Sequence, residues 1–384
     1  MNIGKQMYSW AADLFGVNRS ITGEGVRETL GYLSRLIPGL EIQSLSSGTK
    51  VFDWTIPDEW SINSAYIIDE FGNVILDFSL NNLHVVGYSI PVDRFMDLEE
   101  LKGYLHTLPE QPDAIPYVTS YYSRTWGFCM THNQKCSLKS GKYKVFIDSK
   151  IYPGSLNYGE LIIPGETSKE ILISTYICHP SMANNELSGP VVSAALARWL
   201  QSLKQRKYTY RIIFIPETIG SIAYLSKNID TMKKCTVAGF VVTCIGDDLT
   251  YSFMPSRSGN TLADRAALHI LKNNVKVFDH YSFLDRGSDE RQYCSPGVDL
   301  PVCSIMRSKY GTYPEYHTSL DDLSFISAAG LEGGFKIIKK TIQAIEINGY
   351  FMNLSICEPQ LGKRGLYPNT STKDTFTQTR TLMN

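Results

Sequence analysis

EILISTYICHPSMANNELSGPVVSAALARWL, residues 170–200, is the stretch whose reading decides the fold. Its opening, Glu170–Cys178, is a near-continuous apolar run, the pattern of a strand buried on both faces. Its second half reads as a helix over Ser188–Lys204. Val192, Leu196, Trp199 and Leu203 share one face, Pro190 sits in the first turn, and Ser188 can cap the start. A buried strand leading into a helix is half of a parallel βαβ unit. The alternation continues: Tyr210–Pro216 and Ala238–Ile245 read as further buried strands and Leu262–Asn273 as a helix. Leu300–Ile305 is another strand and Ala328–Ile347 a long closing helix. This order predicts an α/β sheet with parallel pairs, whose ligands gather beyond the carboxyl ends of the strands.

Outside that core the pattern changes. Residues 5–36 have helical spacing, broken at NRSITGEG (residues 18–25), where Thr22 or Ser20 can cap the second helix and Arg19 belongs either to the capped start or to a functional site. Residues 50–149 carry short alternating segments such as VFDWTIP, SAYIIDE and KYKVFID, interrupted by a helix expected over Asp97–Thr107. They read as a β-rich inserted domain, which leaves the core discontinuous, 1–49 and 150–350. Residues 351–384 are rich in Pro, Gly, Thr and Asn and read as a linker or tail, with a winged helix partial or missing.

The chain has 384 residues, 43% hydrophobic and 20% charged, with a formal net charge of −1. That balance gives no basic surplus for nucleic acid or anionic lipid, so neither is expected as a partner. No apolar run nears the roughly 20 residues a membrane helix needs, and the N-terminus lacks a cleavage-site pattern. Eight cysteines without a CxxC pair point to free thiols and a cytoplasmic location. Homo-oligomer formation is left open.

Several residues could carry chemistry. His179 follows the first buried strand, and imidazole is the commonest metal ligand. Asn185 and Glu186 begin the next helix and can turn back toward it; helix phase decides which one points inward. Glu186 is the harder oxygen donor, although an acid there also suits a helix start without any metal. Glu217, after the strand RIIFIP, suits a general base that deprotonates water, or equally a helix-start acid. His317, in YPEYHTSLDDL beside Tyr316, is the expected distal imidazole. The segment FLDRGSDERQYCSPGVDLPV (residues 283–302) reads as a solvated loop or a substrate loop. In it Arg286 or Arg291 could pair with a carboxylate or phosphate, and Asp289 is a reserve ligand. The aromatic run PYVTSYYSRTWGFCMTH (residues 116–132), which holds Trp126, is a buried sheet face or one wall of a ligand cleft. No GxSxG elbow and no Gly-rich phosphate loop occurs.

In order and spacing these segments resemble the co-catalytic zinc aminopeptidases of the bacterial leucyl aminopeptidase kind. More closely, residues 15–367 resemble a bacterial aminopeptidase-like domain family whose members often accompany polysaccharide-biosynthesis proteins. CHPSMANNELSG, PETIGSI, RGSDERQYC, YPEYHTSLDDL and CEPQLGKRGLYP carry the likeness. It implies a zinc-exopeptidase-like mixed β-sheet sandwiched by helices, with a small β-rich inserted domain. Position by position, His179 and His317 keep the two imidazoles and Glu217 keeps the general base. Asn185 stands at the bridging Asp with Glu186 beside it, Thr218 at the second Glu, and Thr243 at the strand-end Asp. Ser288–Asp289–Glu290 stands where the family has SDH. With so few acids, one zinc ion is expected rather than two. Donor chemistry, not the family pattern, selects His179, Glu186 and His317 as its ligands. Asn185, Arg286, Asp289, Arg291, Tyr316 and Trp126 are the expected substrate contacts. The expected function is metal-dependent, aminopeptidase-like hydrolysis of a small peptide or an N-acyl or aminoacyl substrate. The alternative is a non-catalytic ligand-binding protein with a degraded peptidase site.

Overall fold

Eight strands build the central sheet: β1 (Glu41–Ser46), β2 (Ser155–Ile163), β3 (Glu170–Tyr176), β4 (Thr209–Ile215), β5 (Thr236–Val241), β6 (Ser252–Met254), β7 (Asp279–His280) and β8 (Val302–Met306). Their order across the sheet is β1-β2-β4-β3-β5-β8-β6-β7. β3 lies at the centre, parallel to β4 (Ile173 opposite Ile212) and to β5 (Ile173 opposite Phe240). β2 pairs antiparallel with β1 and β4, and β6 antiparallel with β8, so the sheet is mixed. The structure, a computed structural model, describes residues 2–349, 352, 354, 356, 357 and 359–366.

Every residue of β3 is buried, as its apolar run requires. Alternate side chains feed two cores, following the two-residue period of a strand. Ile171 and Ile173 join Trp10, Leu30, Leu196 and Ile338 on one face. Leu172 joins Ile213, Ile219 and Tyr224 on the other. Helices Ile3–Phe15, Glu24–Leu36, Ser188–Ser202, Leu262–Asn274 and Ala328–Ile347 contribute to the first core, and Ile219–Cys235 to the second. A mixed sheet flanked by helices is therefore the architecture.

A second, four-stranded antiparallel sheet is made by Glu59–Asp69, Val74–Asp77, Val92–Asp97 and Lys142–Tyr152, over its own core of Ile67, Leu101, Phe128 and Val145. It packs within one unit, Met1–Glu346; Ile347–Asn384 forms another. Most of the expected tail, 351–384, lies outside the described residues. The eight cysteines are free, and among the described residues no helix is long and apolar enough to cross a membrane.

Several local expectations are corrected. The helix expected over Asp97–Thr107 is only Leu98–Leu101 and a 3-10 turn, Lys102–Tyr104, because Leu105–His106 pairs as a strand with Phe128–Cys129. Neither Thr22 nor Ser20 caps the second helix. Its cap is Gly23 at φ 101°, and the Thr22 hydroxyl instead bonds the Tyr88 hydroxyl at 2.6 Å. Ser188 is not a cap either. A π turn, Ala183–Leu187, begins the helical path earlier, and Ser188 donates back to the Asn184 carbonyl at 2.5 Å.

Candidate active site

The chain leaves the sheet at adjacent strand ends, and each exit delivers one functional side chain. β3 runs on to Cys178 and His179, and β4 to Glu217. Beyond β5 lie Thr243 and Cys244, and a loop beyond β8 brings in His317. Four non-glycine residues here have left-handed backbones: Ser181 (φ 43°), Thr218 (63°), Cys244 (47°) and His317 (57°). Such conformations cost about 1–3 kcal/mol each and gather where a side chain must be aimed.

His179 is held from both sides. Its Nδ1 lies 2.7 Å from Glu186 Oε2, and its Nε2 lies 3.7 Å from Glu217 Oε2. Glu186 is in turn 3.7 Å from the guanidinium of Arg19, with both side chains fully buried. Arg19 also donates to the carbonyls of His179 (2.9 Å) and Leu14 (2.8 Å). A carboxylate oxygen only accepts, so the Glu186 contact places a ring proton on Nδ1. Burial opposes a charge on the ring, but Cys178 and Glu186 hold the proton affinity of His179 well above the ordinary imidazole range. Nε2 therefore faces Glu217 as a second N–H, whose proton a metal ion would have to displace. Ser288 donates to the other oxygen of Glu217 at 2.7 Å.

The acids of this region raise one another's proton affinity. Burial pushes Glu217 above the usual carboxylate range, and His179, Ser288 and Arg291 pull it part of the way back. Burial, then Glu217, pushes Asp289 up to about 8. Burial drives His317 down to about 3, with His179 adding to the shift, so His317 is a neutral imidazole. Its Nε2 is buried and has no hydrogen-bond partner. The two imidazole rings lie 5.5 Å apart, and Tyr117 meets each edge-on, at 5.3 Å from His179 and 5.2 Å from His317. In front of His179 and Glu217 opens a recess of about 190 Å³, walled by Trp54, Tyr121, Tyr122 and Thr218.

The expected ligand trio of His179, Glu186 and His317 is not brought together. Among the described residues, the one group with three metal-ligating atoms within 4.8 Å of one another is Cys178, His179 and Glu186. That group is closed and buried, and Glu186 already faces the Arg19 guanidinium. Burial pushes the Cys178 thiol up to about 11. An ion there would meet a buried cation and have no open position, which a catalytic site needs. On the other side of the ring, the Nε2 of His179 faces Glu217 at the recess, and the buried, unpartnered Nε2 of His317 is a further imidazole nitrogen without a hydrogen-bond partner. Asn185, which stands at the bridging acid, accepts from the Tyr176 hydroxyl at 2.9 Å. Tyr176 also bonds Thr243, so Asn185, Tyr176 and Thr243 form one neutral buried cluster.

Of the expected substrate contacts, Arg291 and Tyr316 lie beside the site: Arg291 donates to Thr218 Oγ1 at 3.0 Å, and Tyr316 stacks on His317 at 3.9 Å. The rest are corrected. Asn185 and Asp289 are buried, and Asp289 is engaged by the Thr218 N–H and the Ser221 hydroxyl, both at 2.8 Å. The Arg286 guanidinium lies over the Phe283 ring at 4.6 Å and does not line the recess. Trp126 stacks on Tyr104 at 3.9 Å and packs against the core of the four-stranded sheet.

Comparison with known proteins follows the same lines. A family model described as a domain of unknown function, DUF4910, matches residues 8–348. The chain belongs to that family. A winged helix-turn-helix model matches residues 349–384. A Clostridium acetobutylicum protein named for polysaccharide biosynthesis and an aminopeptidase-like domain is 47% identical, over 95% of this chain and 83% of its own length. A crystal structure from Clostridium acetobutylicum, described as a peptidase, is 46% identical with a TM-score of 0.91, over 94% of this chain and 85% of that one. BSAP, a zinc aminopeptidase from Bacillus subtilis, shares the fold at a TM-score of 0.63 and 13% identity, over 89% of this chain and 95% of its own.

In this DUF4910 chain the sequence reading gave no specific role to four residues at the site. Tyr117 and Tyr121 sit in the same aromatic run as Trp126, and the Tyr117 N–H donates to the His317 carbonyl at 2.9 Å. That backbone pairing draws this part of the run, not Trp126, onto the site. Asp321 lies in the His317 motif, and its carboxylate accepts from the N–H groups of Asn184 (2.6 Å) and Asn185 (2.9 Å), pinning the π turn. Arg19 lies far away in sequence, and no local pattern marks it as the partner of Glu186.

Proposed function

We propose that this chain is a peptidase-type amide hydrolase working with one divalent ion, zinc by donor type, held by His179 and His317. The observation that carries the reading is the polarised imidazole of His179: Glu186 lies 2.7 Å from Nδ1, while Nε2 faces Glu217 at the recess. The ion would supply a Lewis acid and a more acidic water. Glu217 takes the proton of the attacking water and returns it to the leaving amine. Its raised proton affinity suits both steps, and Ser288 holds the carboxylate in place. Glu186 and Arg19 orient His179 from behind. Arg291, at the rim beside Thr218, can meet an anionic group on the substrate. The naming of the Clostridium acetobutylicum relative supports an N-acyl or aminoacyl sugar as substrate, and the aminopeptidase fold a short peptide.

The test is a panel of aminoacyl and N-acyl amides incubated with zinc-loaded protein and with Glu217→Gln. Hydrolysis that falls by about 10²–10⁴-fold in the variant supports the assignment; equal rates in both proteins overturn it. The neutral Tyr176–Asn185–Thr243 cluster favours a second reading, a binding protein that keeps its ligand intact. Tight binding of a panel member with no hydrolysis would select that reading.

A further inference from the structure

Beside the recess lies a larger open groove of about 360 Å³ that the chemistry above does not use. Trp54 lines both cavities. The same helix walls both, with Ile219 in the recess and Ile222, one turn on, in the groove. Arg291 bonds Thr218 at the recess, and its neighbour Gln292 lines the groove. The two cavities are thus neighbours that share Trp54 and are flanked by the same helix and the same short turn.

The groove's far wall is a hairpin, Lys50–Val51 paired with Trp54–Thr55. At its tip Phe52 adopts a left-handed backbone (φ 56°) and remains 61% exposed. An exposed aromatic ring on a strained turn gains little for folding, and such strain clusters at ligand clamps. Trp54 is also exposed, and Tyr122 meets it edge-on at 5.8 Å, so aromatic surface continues from hairpin to recess. Opposite Phe52 and Trp54 stand Ile222, Ile229, Pro296 and Val298. Asp53, Gln292 and Ser295 also line the groove, but most of its lining is apolar, and branched aliphatic side chains beside an exposed aromatic pair suit a hydrocarbon chain.

We infer that this groove is a subsite for the apolar tail of the substrate, an acyl chain or aliphatic side chain attached to the amide that lies in the recess. The inference rests on the hydrolase reading for where the amide lies, and its test reads binding without turnover. N-methyl alkanamides from acetamide to octanamide are titrated calorimetrically into zinc-loaded Glu217→Gln protein, alone and combined with Ile229→Glu or Phe52→Ser. Neither added change touches the recess. Affinity should rise about threefold per methylene, a little below full burial of each group. Both added changes should flatten that rise and leave the shortest amide unaffected. A flat series in the Glu217→Gln parent, an unchanged slope in both combined variants, or a preference for glucosamine over octanamide would overturn the inference. Length-dependent binding by a protein that hydrolyses nothing would sink the hydrolase reading and keep the subsite. Hydrolysis with a flat series would do the reverse.

Discussion

Oε2 of Glu186 lies 2.7 Å from Nδ1 of His179, on the side of the ring away from Glu217. The glutamate therefore orients an imidazole whose other nitrogen is left for chemistry. Glu186→Gln should keep the fold and weaken zinc binding by about 10–100-fold, the usual effect of losing an orienting partner. Competition against a chelating dye measures it. Loss of all binding would instead make Glu186 a ligand.

Behind Glu186, Arg19 is the buried counter-charge. Arg19→Ala strands a carboxylate and should cost about 3–5 kcal/mol in urea unfolding. Adding Glu186→Ala should cost less than the sum of the two single changes, because each single change leaves the other charge unpaired. Strict additivity would show that the two groups do not interact.

Glu217 must be ionised to accept a proton, and burial raises its proton affinity. The acid limb of kcat/KM should therefore lie above the ordinary carboxylate range, near 4.3. Arg291 pulls Glu217 downward, so Arg291→Met should move that limb to higher pH. A limb that stays put or moves down in a pH–rate profile contradicts the assignment of Glu217 as the base.

Asp321 holds the π turn by accepting two backbone N–H groups. Asp321→Ala leaves both buried donors unpaired and should cost about 2–6 kcal/mol, at roughly 1–3 each. Asp321→Asn keeps one of the two acceptor oxygens and should cost less than the alanine change. Chemical denaturation of the two variants decides it.

Trp126→Ala offers a contrast. Its ring packs on Tyr104 and the core of the four-stranded sheet, so the loss should appear in stability, with zinc affinity unchanged.

The core of the fold was legible because its strands are buried on both faces. Glu170–Tyr176 admits little but apolar and small side chains, and the apolar face of the closing helix fixes Ala328–Ile347. The Asp97–Thr107 helix misled because its apolar spacing is equally served by a short helix followed by a strand. At the site, strand ends located His179 and Glu217, since an α/β sheet exposes its carboxyl edge. The role of Glu186 was hidden because it depends on a π turn, which shifts helix phase by one residue. Arg19 was hidden because its contact with Glu186 spans the whole first half of the chain.

Metal content bears most directly on the central claim. Elemental analysis of protein purified without chelator, beside a His179→Ala, His317→Ala double variant, should give about one zinc per chain and none in the variant. Two ions per chain, or no metal in either protein after zinc is added, would contradict the single-ion hydrolase described above.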